Sequence, residues 1–197
     1  LTHLQMIARE AEEKKEIDAQ ELKEIHGNMR DLVSQFLEAL KEFENKKISY
    51  QITIGELFQE VVERTRKLFR NSQISYSKTN ALEQNIDNLQ STLLLPILNA
   101  VVENAFEQDF KSKVNLSVKI VENQLIIEIS DTSGGIPRNQ QTFLFDPSKS
   151  SKKGGTGLGL AIAKQLAHSM DADLELSKSD EIGSVFSISF QVINFAS

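Results

Sequence analysis

The run GGTGLGLAIAKQL, residues 154–166, places four glycines within six positions, directly before an apolar, helix-forming stretch. Glycine in an ordered element costs roughly 0.5–1 kcal/mol relative to alanine, so the cluster needs a compensating use. A glycine-rich turn that opens a helix lets backbone N–H groups approach an anion, and the helix N-terminus adds partial positive charge. A phosphate cradle is therefore one reading, and a flexible hinge is the other. The run is not a P-loop, because no Lys-Ser/Thr follows it. It is not a dinucleotide fingerprint either, because the glycine order differs and no strand precedes it.

Outward from this run, seven of the nine glycines fall in three places: Gly134-Gly135, the 154–159 cluster and Gly183. Each place joins two elements. DTSGGIP (131–137) follows a strand that ends at Ser130. A carboxylate at a strand end beside glycines can accept a hydrogen bond from an exocyclic amine such as that of adenine, or it can simply close a polar turn. Upstream, LLLPILNAVVENAF (93–106) reads as an apolar helix whose start is left open. Pro96 suits only its first turn unless it kinks the helix. Asn99 and Asn104 lie five apart on that helix. Amides on an apolar helix need partners: an amide oxygen can ligate Mg²⁺ beside substrate phosphates, or the pair can cap neighbouring backbone.

The rest of the chain frames these segments. ISYQIT (48–53) reads as a short strand, GELFQEVVERTRKLF (55–69) as an amphipathic helix, and residues 73–79 as a strand. Residues 114–130 read as a strand hairpin turning at Glu122-Asn123-Gln124. A polar loop without regular structure is expected over 132–156. Residues 157–170 form a helix, and ADLELS and SVFSISFQV close the unit as strands. Mixed helices and strands of this order predict one mixed sheet with helices on one face.

Before residue 47 the character differs. Glycine appears once (Gly27), proline not at all, and apolar residues recur at steps of three and four from Leu22 to Phe43. Residues 1–45 read as a helical hairpin. Two arms cannot cover such a stripe, so a four-helix bundle made with a second copy is expected, the alternative being packing on the following domain. The fold class is thus α+β: a dimerisation hairpin over 1–47, then an α/β sandwich over 48–197.

Composition removes several classes of function. Cysteine is absent, which excludes disulfides and thiolate metal sites. The three histidines are scattered and the net charge is −6, so neither a zinc site nor a nucleic-acid interface is indicated. No apolar run is long enough to span a membrane.

In order, NAVVENA, DTSGGIP, LFDP and GGTGLGLAI resemble the N, G1, F and G2 boxes of sensor histidine kinases, within the GHKL (Bergerat-type) ATP-binding superfamily shared with gyrase, MutL and heat-shock chaperones. The resemblance covers about residues 48–193, and IHGNMRDLVSQFLEAL resembles the second helix of the dimerisation and phosphotransfer hairpin. It implies an ATP-dependent protein-histidine kinase with ATP and Mg²⁺ as cofactors. Asn104 would ligate Mg²⁺, and Asn99 would give a supporting phosphate-side contact. Asp131 would bind the adenine amine. Gly135 and Ile136 would line the base. Phe145 would anchor the ATP lid. Gly155, Gly157 and Gly159 would give its hinge and the phosphate donors, with Thr156 and Leu158 beside them. The implied partners are a second copy through helices 1–45 and a response-regulator receiver domain, and the implied place is the cytoplasm, with a parent that could be membrane-anchored.

The chain departs from that pattern at several positions. The acceptor motif of the family, His-Glu-x-x-Thr-Pro-Leu, does not occur, and LTHLQMIA looks like the residues just after it, so the acceptor is expected upstream. His3 and His26 are expected on the surface, and His168 is expected to be structural. Glu107 and Gln108 stand where a lysine is usual, Ser133 replaces the first G1 glycine, and Met170-Asp171-Ala172 stands at a usual glycine pair. The alternative to a kinase is therefore a degenerate dimeric module that binds nucleotide or a partner without phosphotransfer. A third reading, another chemistry on the same fold, is disfavoured by the preceding hairpin.

Overall fold

The computed structural model describes residues 51–146 and 158–191. The hairpin expected over 1–47, with its dimer interface, lies outside the described residues, as do Gly154, Gly155, Thr156 and Gly157.

β1 (Gln51–Thr53) leads straight into α1 (Ile54–Leu68). Thr53 makes the junction: its hydroxyl accepts from the Glu56 N–H, and the Glu56 carboxylate accepts from the Thr53 N–H at 2.7 Å, a reciprocal capping box. The Thr53 N–H also holds the Glu56 carboxyl below its ordinary range. Ile54, Leu57, Phe58, Val61, Val62 and Thr65 form the buried face at helical spacing.

β2 (Gln73–Tyr76), a 3₁₀ turn at Asn80–Glu83 and β3 (Asn85–Asp87) follow. β3 pairs antiparallel with β1. Three residues are too few to show an alternating pattern, so the sequence does not announce this strand.

α2 (Asn88–Gln108) begins earlier than its apolar run suggests. Asp87 caps it: Oδ1 accepts from the Gln90 N–H at 2.7 Å, and Oε1 of Gln90 accepts from the Asp87 N–H at 3.2 Å. Pro96 consequently lies well inside the helix rather than in its first turn. The capping box fixes the start, and the buried face that includes Leu93, Leu94, Ile97, Leu98, Val101 and Val102 carries the helix across the proline's missing N–H.

β4 (Lys113–Val121) and β5 (Gln124–Asp131) make the expected hairpin, with Gln124 already paired and Glu122 at φ 56° in the turn. The stretch expected to lack structure instead contains α3 (Arg138–Gln141). α4 (Gly159–Ser169), β6 (Asp173–Ser179) and β7 (Ser184–Gln191) complete the described chain.

The main sheet runs β2-β4-β5-β7-β6, with β2 parallel to β4 and every other pair antiparallel. Register aligns the apolar residues in cross-strand rows: Leu116–Ile129–Phe186–Leu176 and Val118–Ile127–Ile188–Leu174. These rows join one core with α1, α2 and α4. The alternate residues Ser117, Glu128, Ser187 and Glu175 form a row on the opposite face. The mixed sheet with helices on one face is the architecture expected from the sequence.

Candidate functional site

The loop after β5 is braced by hydrogen bonds with α2, α3, the start of β4 and the β6–β7 turn. Ser133 donates to Asp131 Oδ1 twice, from its N–H at 2.8 Å and its hydroxyl at 2.6 Å. The Thr132 N–H donates to the Oγ of buried Ser112, and the Thr132 hydroxyl accepts from the Lys113 N–H at 2.9 Å. The Gly134 N–H donates to the Ile182 carbonyl, and the Ile136 N–H to Ser179 Oγ at 2.7 Å. From the end of α2, Gln108 Nε2 donates to the carbonyls of Ser133 (3.2 Å) and Gly135 (2.8 Å). Gln141 of α3 donates to the Ile136 carbonyl. Gly134 and Gly135 take φ of 92° and 70°, the left-handed region that favours glycine.

This loop rests on the turn between β6 and β7. Asp180 organises that turn by accepting at Oδ1 from the Ile182 and Gly183 N–H groups. Its Oδ2 meets Lys178 Nζ at 2.8 Å. The Lys178 ammonium, then the Ile182 and Gly183 amides, hold the Asp180 carboxyl below the usual carboxylate range.

The two asparagines of α2 differ in setting. Asn99 is 8% exposed, and no hydrogen bond joins its amide to another described residue. Asn104 is half-buried. Five positions turn a helix through about 140°, so the two amides point to different sides of α2. Asn104 and Gln108, four apart, share a face. Glu107 is exposed, and Lys111 lies 5.5 Å from the Phe110 ring.

Phe145 is half-buried. It packs edge-on against Phe186 at 6.4 Å, and Lys164 Nζ lies 5.4 Å from its ring. The same Lys164 donates to Asp173 Oδ1 at 2.6 Å and to the Leu174 carbonyl at 2.7 Å. Leu144 packs beside Phe145, whereas Phe143 is exposed. Leu158 precedes α4 and supplies no side-chain cap to it, which leaves the helix start to backbone chemistry. Gly159 is the first helical residue, and a Cβ built on it meets nothing within 4 Å. His168 is exposed in the last turn of α4. It suits the negative end of that helix.

The structure thus brings Asp131, Gly135 and Ile136 into one braced loop and ties it to the helix that carries Asn104. A cavity of about 550 Å³ opens beside β2 and the start of β4 and includes Asp131 in its wall. Among the described residues, no other predicted site residue lines it. Ser112 and Ser179 escape a reading of the sequence, because each acts through a partner distant in the chain, and Asp180 escapes it because its turn meets Gly135 only in the folded structure. Gln108 is visible there only as a departure from a pattern.

Comparison with known proteins bears on the same region. A family model described as histidine kinase-, DNA gyrase B-, and HSP90-like ATPase matches residues 90–194. The signal transduction histidine-protein kinase ArlS of Staphylococcus aureus is 33% identical over 96 residues, covering 45% of this chain and 21% of that protein. The chain therefore spans about a fifth of the length of the curated relatives it matches. Among solved structures, the mycobacterial sensor histidine kinase MprB matches with a TM-score of 0.61 at 20% identity, over 73% of this chain and 97% of the other. The catalytic domain of the histidine kinase ThkA matches with a TM-score of 0.62 at 20% identity, over 73% and 95%. These structural likenesses establish a shared fold. Among the described residues, no helix is long and apolar enough to cross a membrane.

Proposed function

The chain belongs to the histidine kinase-, DNA gyrase B- and HSP90-like ATPase family, and on that premise we propose that it is the catalytic core of a two-component sensor histidine kinase, binding Mg-ATP. The observation that carries this is the braced loop Asp131–Ile136, tied by Gln108 to the helix bearing Asn104. Such a loop presents a fixed carboxylate to an adenine amine, with Gly135 and Ile136 beside the base.

The donor set fits a magnesium ion. An amide oxygen is a hard ligand of the kind Mg²⁺ takes together with substrate phosphates. No group of three or more His, Cys, Asp or Glu among the described residues forms a separate metal cage. Asn104 would hold the ion, which when bound would neutralise phosphate charge. Asn99, on another side of α2, would support the site from a different direction. Leu158, Gly159 and the preceding Gly155, Thr156 and Gly157 would offer backbone donors to phosphate at the start of α4. Phe145 would anchor the lid through Phe186. Catalysis in such a site is mostly positioning and charge stabilisation.

The γ-phosphoryl group would pass to a histidine and then to a receiver-domain aspartate, with residues 1–47 forming the dimeric hairpin. One observation favours the second reading, a degenerate binding module. Gln108 is committed to the loop and Glu107 is exposed, so neither supplies the cation expected there.

Calorimetric titration of the chain with ATP, with and without Mg²⁺, tests the proposal. Mg²⁺-dependent binding that is lost in Asn104→Ala is the expected result. Absence of binding at millimolar ATP would overturn it. Binding without phosphorylation of any histidine would select the degenerate module.

A further inference from the structure

We propose that Ser133 and Gln108 are positioning residues that fix the Asp131 carboxylate in one orientation and so set recognition of an exocyclic amine on the base. The inference rests on the nucleotide reading above.

The Asp131 side chain is satisfied on one oxygen only. Oδ1 accepts both the N–H and the hydroxyl of Ser133, at 2.8 and 2.6 Å. No described residue donates to Oδ2. An ionised carboxyl is purely an acceptor, with capacity on both oxygens. A plain turn would need only the first of the two bonds. The hydroxyl adds a second donor to the same oxygen, which restrains rotation of the carboxylate and leaves Oδ2 as the acceptor a ligand amine would meet.

Ser133 is in turn held from behind. Gln108 Nε2 donates to its carbonyl and, more closely, to that of Gly135. Gln108 sits one helical turn beyond Asn104 on the same face of α2. One side chain therefore sets the distance between the base end of the site and the proposed metal end. A lysine at this position would carry charge toward phosphate; glutamine instead spends its two amide hydrogens on the loop.

The test compares ATP with inosine triphosphate, which carries an oxo group in place of the amine. Both are titrated into the full chain, with thermal unfolding measured on every variant. The wild type is expected to prefer ATP. Ser133→Ala is expected to weaken ATP binding about fivefold and to leave inosine triphosphate binding unchanged, so the preference falls by the same factor. Ser133→Thr, which keeps the hydroxyl, is expected to restore it. Gln108→Ala is expected to lower the preference about threefold while still unfolding in a single cooperative transition. Equal weakening of both nucleotides would mean that the residues only support the loop, and an unchanged preference in either variant would overturn that residue's role. If the wild type binds neither nucleotide, the nucleotide reading itself fails. If it binds both equally, that reading stands and this inference is overturned.

Discussion

Gly183 packs so closely on Asp131 that a Cβ built on it would stand 1.9 Å from the Asp131 carbonyl oxygen. The relation is reciprocated: a Cβ on Gly135 would stand 1.9 Å from the Asp180 carbonyl oxygen. Two loops about fifty residues apart in sequence thus lock backbone to backbone, each through a buried glycine. Gly183→Ala should destabilise the domain by about 1–3 kcal/mol, the usual cost of forcing atoms into a packed region. Gly135→Ala should cost more, because its φ of 70° adds roughly 1–2 kcal/mol for a residue with a Cβ. Urea unfolding of both variants measures this. Equal stability to the wild type would show that the two loops do not pack this closely.

Gly159 behaves oppositely. Its position is helical, exposed and open around the missing Cβ. Gly159→Ala should therefore raise stability by about 0.4–1 kcal/mol through the unfolded chain. If the start of α4 cradles phosphate, ATP affinity should fall in the same variant. A stabilised protein with unaltered ATP affinity would assign this glycine no part in the cradle.

Much of this arrangement was legible in the sequence, and what was hidden follows a physical pattern. The mixed sheet and the β4–β5 hairpin follow from period-2 apolar residues that the register then stacks in rows, whereas the strand order is not written in that pattern. The start of α2 was obscured because Pro96 reads as a boundary, whereas the reciprocal Asp87–Gln90 cap begins nine residues earlier, at Asp87, in polar sequence. β3 was too short for periodicity. In the candidate site, Asp131, Gly135 and Ile136 were visible because glycines and a strand-end carboxylate are local signals. Ser112 and Ser179 were not, because hydroxyl partners 20 and 43 residues away leave no spacing to read, and Asp180 was not, because its turn meets Gly135 only through the fold.

Phe145 joins the segment after α3 to the sheet. Its contacts are the edge of Phe186, which is buried, and the ammonium of Lys164, which is itself tied to Asp173 and Leu174. Phe145→Ala removes an aromatic pair and a partly buried ring, and about 1–3 kcal/mol of stability should go with it. Phe145→Leu, which keeps apolar volume, should lose less. Thermal unfolding of the two variants checks the order. If the alanine variant melts like the wild type, the ring is not an anchor.

Asp180 gives the β6–β7 turn a defined response to acid. Its carboxyl is held low by Lys178 first, and then by the Ile182 and Gly183 amides. A group whose folded pKa lies below its unfolded value adds stability above the unfolded pKa and loses it as pH falls through the folded one. The unfolded value for aspartate is about 3.9, so the contribution should be complete at pH 6 and should decline only below about pH 4. Asp180→Asn keeps an oxygen for the two amides but removes the charge that Lys178 meets. The wild type should therefore be the more stable of the two at pH 6, and the gap should shrink as the pH is lowered through 3. Because this turn supports Gly135 through the Asp180 carbonyl, the variant should also bind ATP more weakly at pH 6. A stability gap that stays constant from pH 6 to pH 3 would show that the Asp180 charge does not hold the turn.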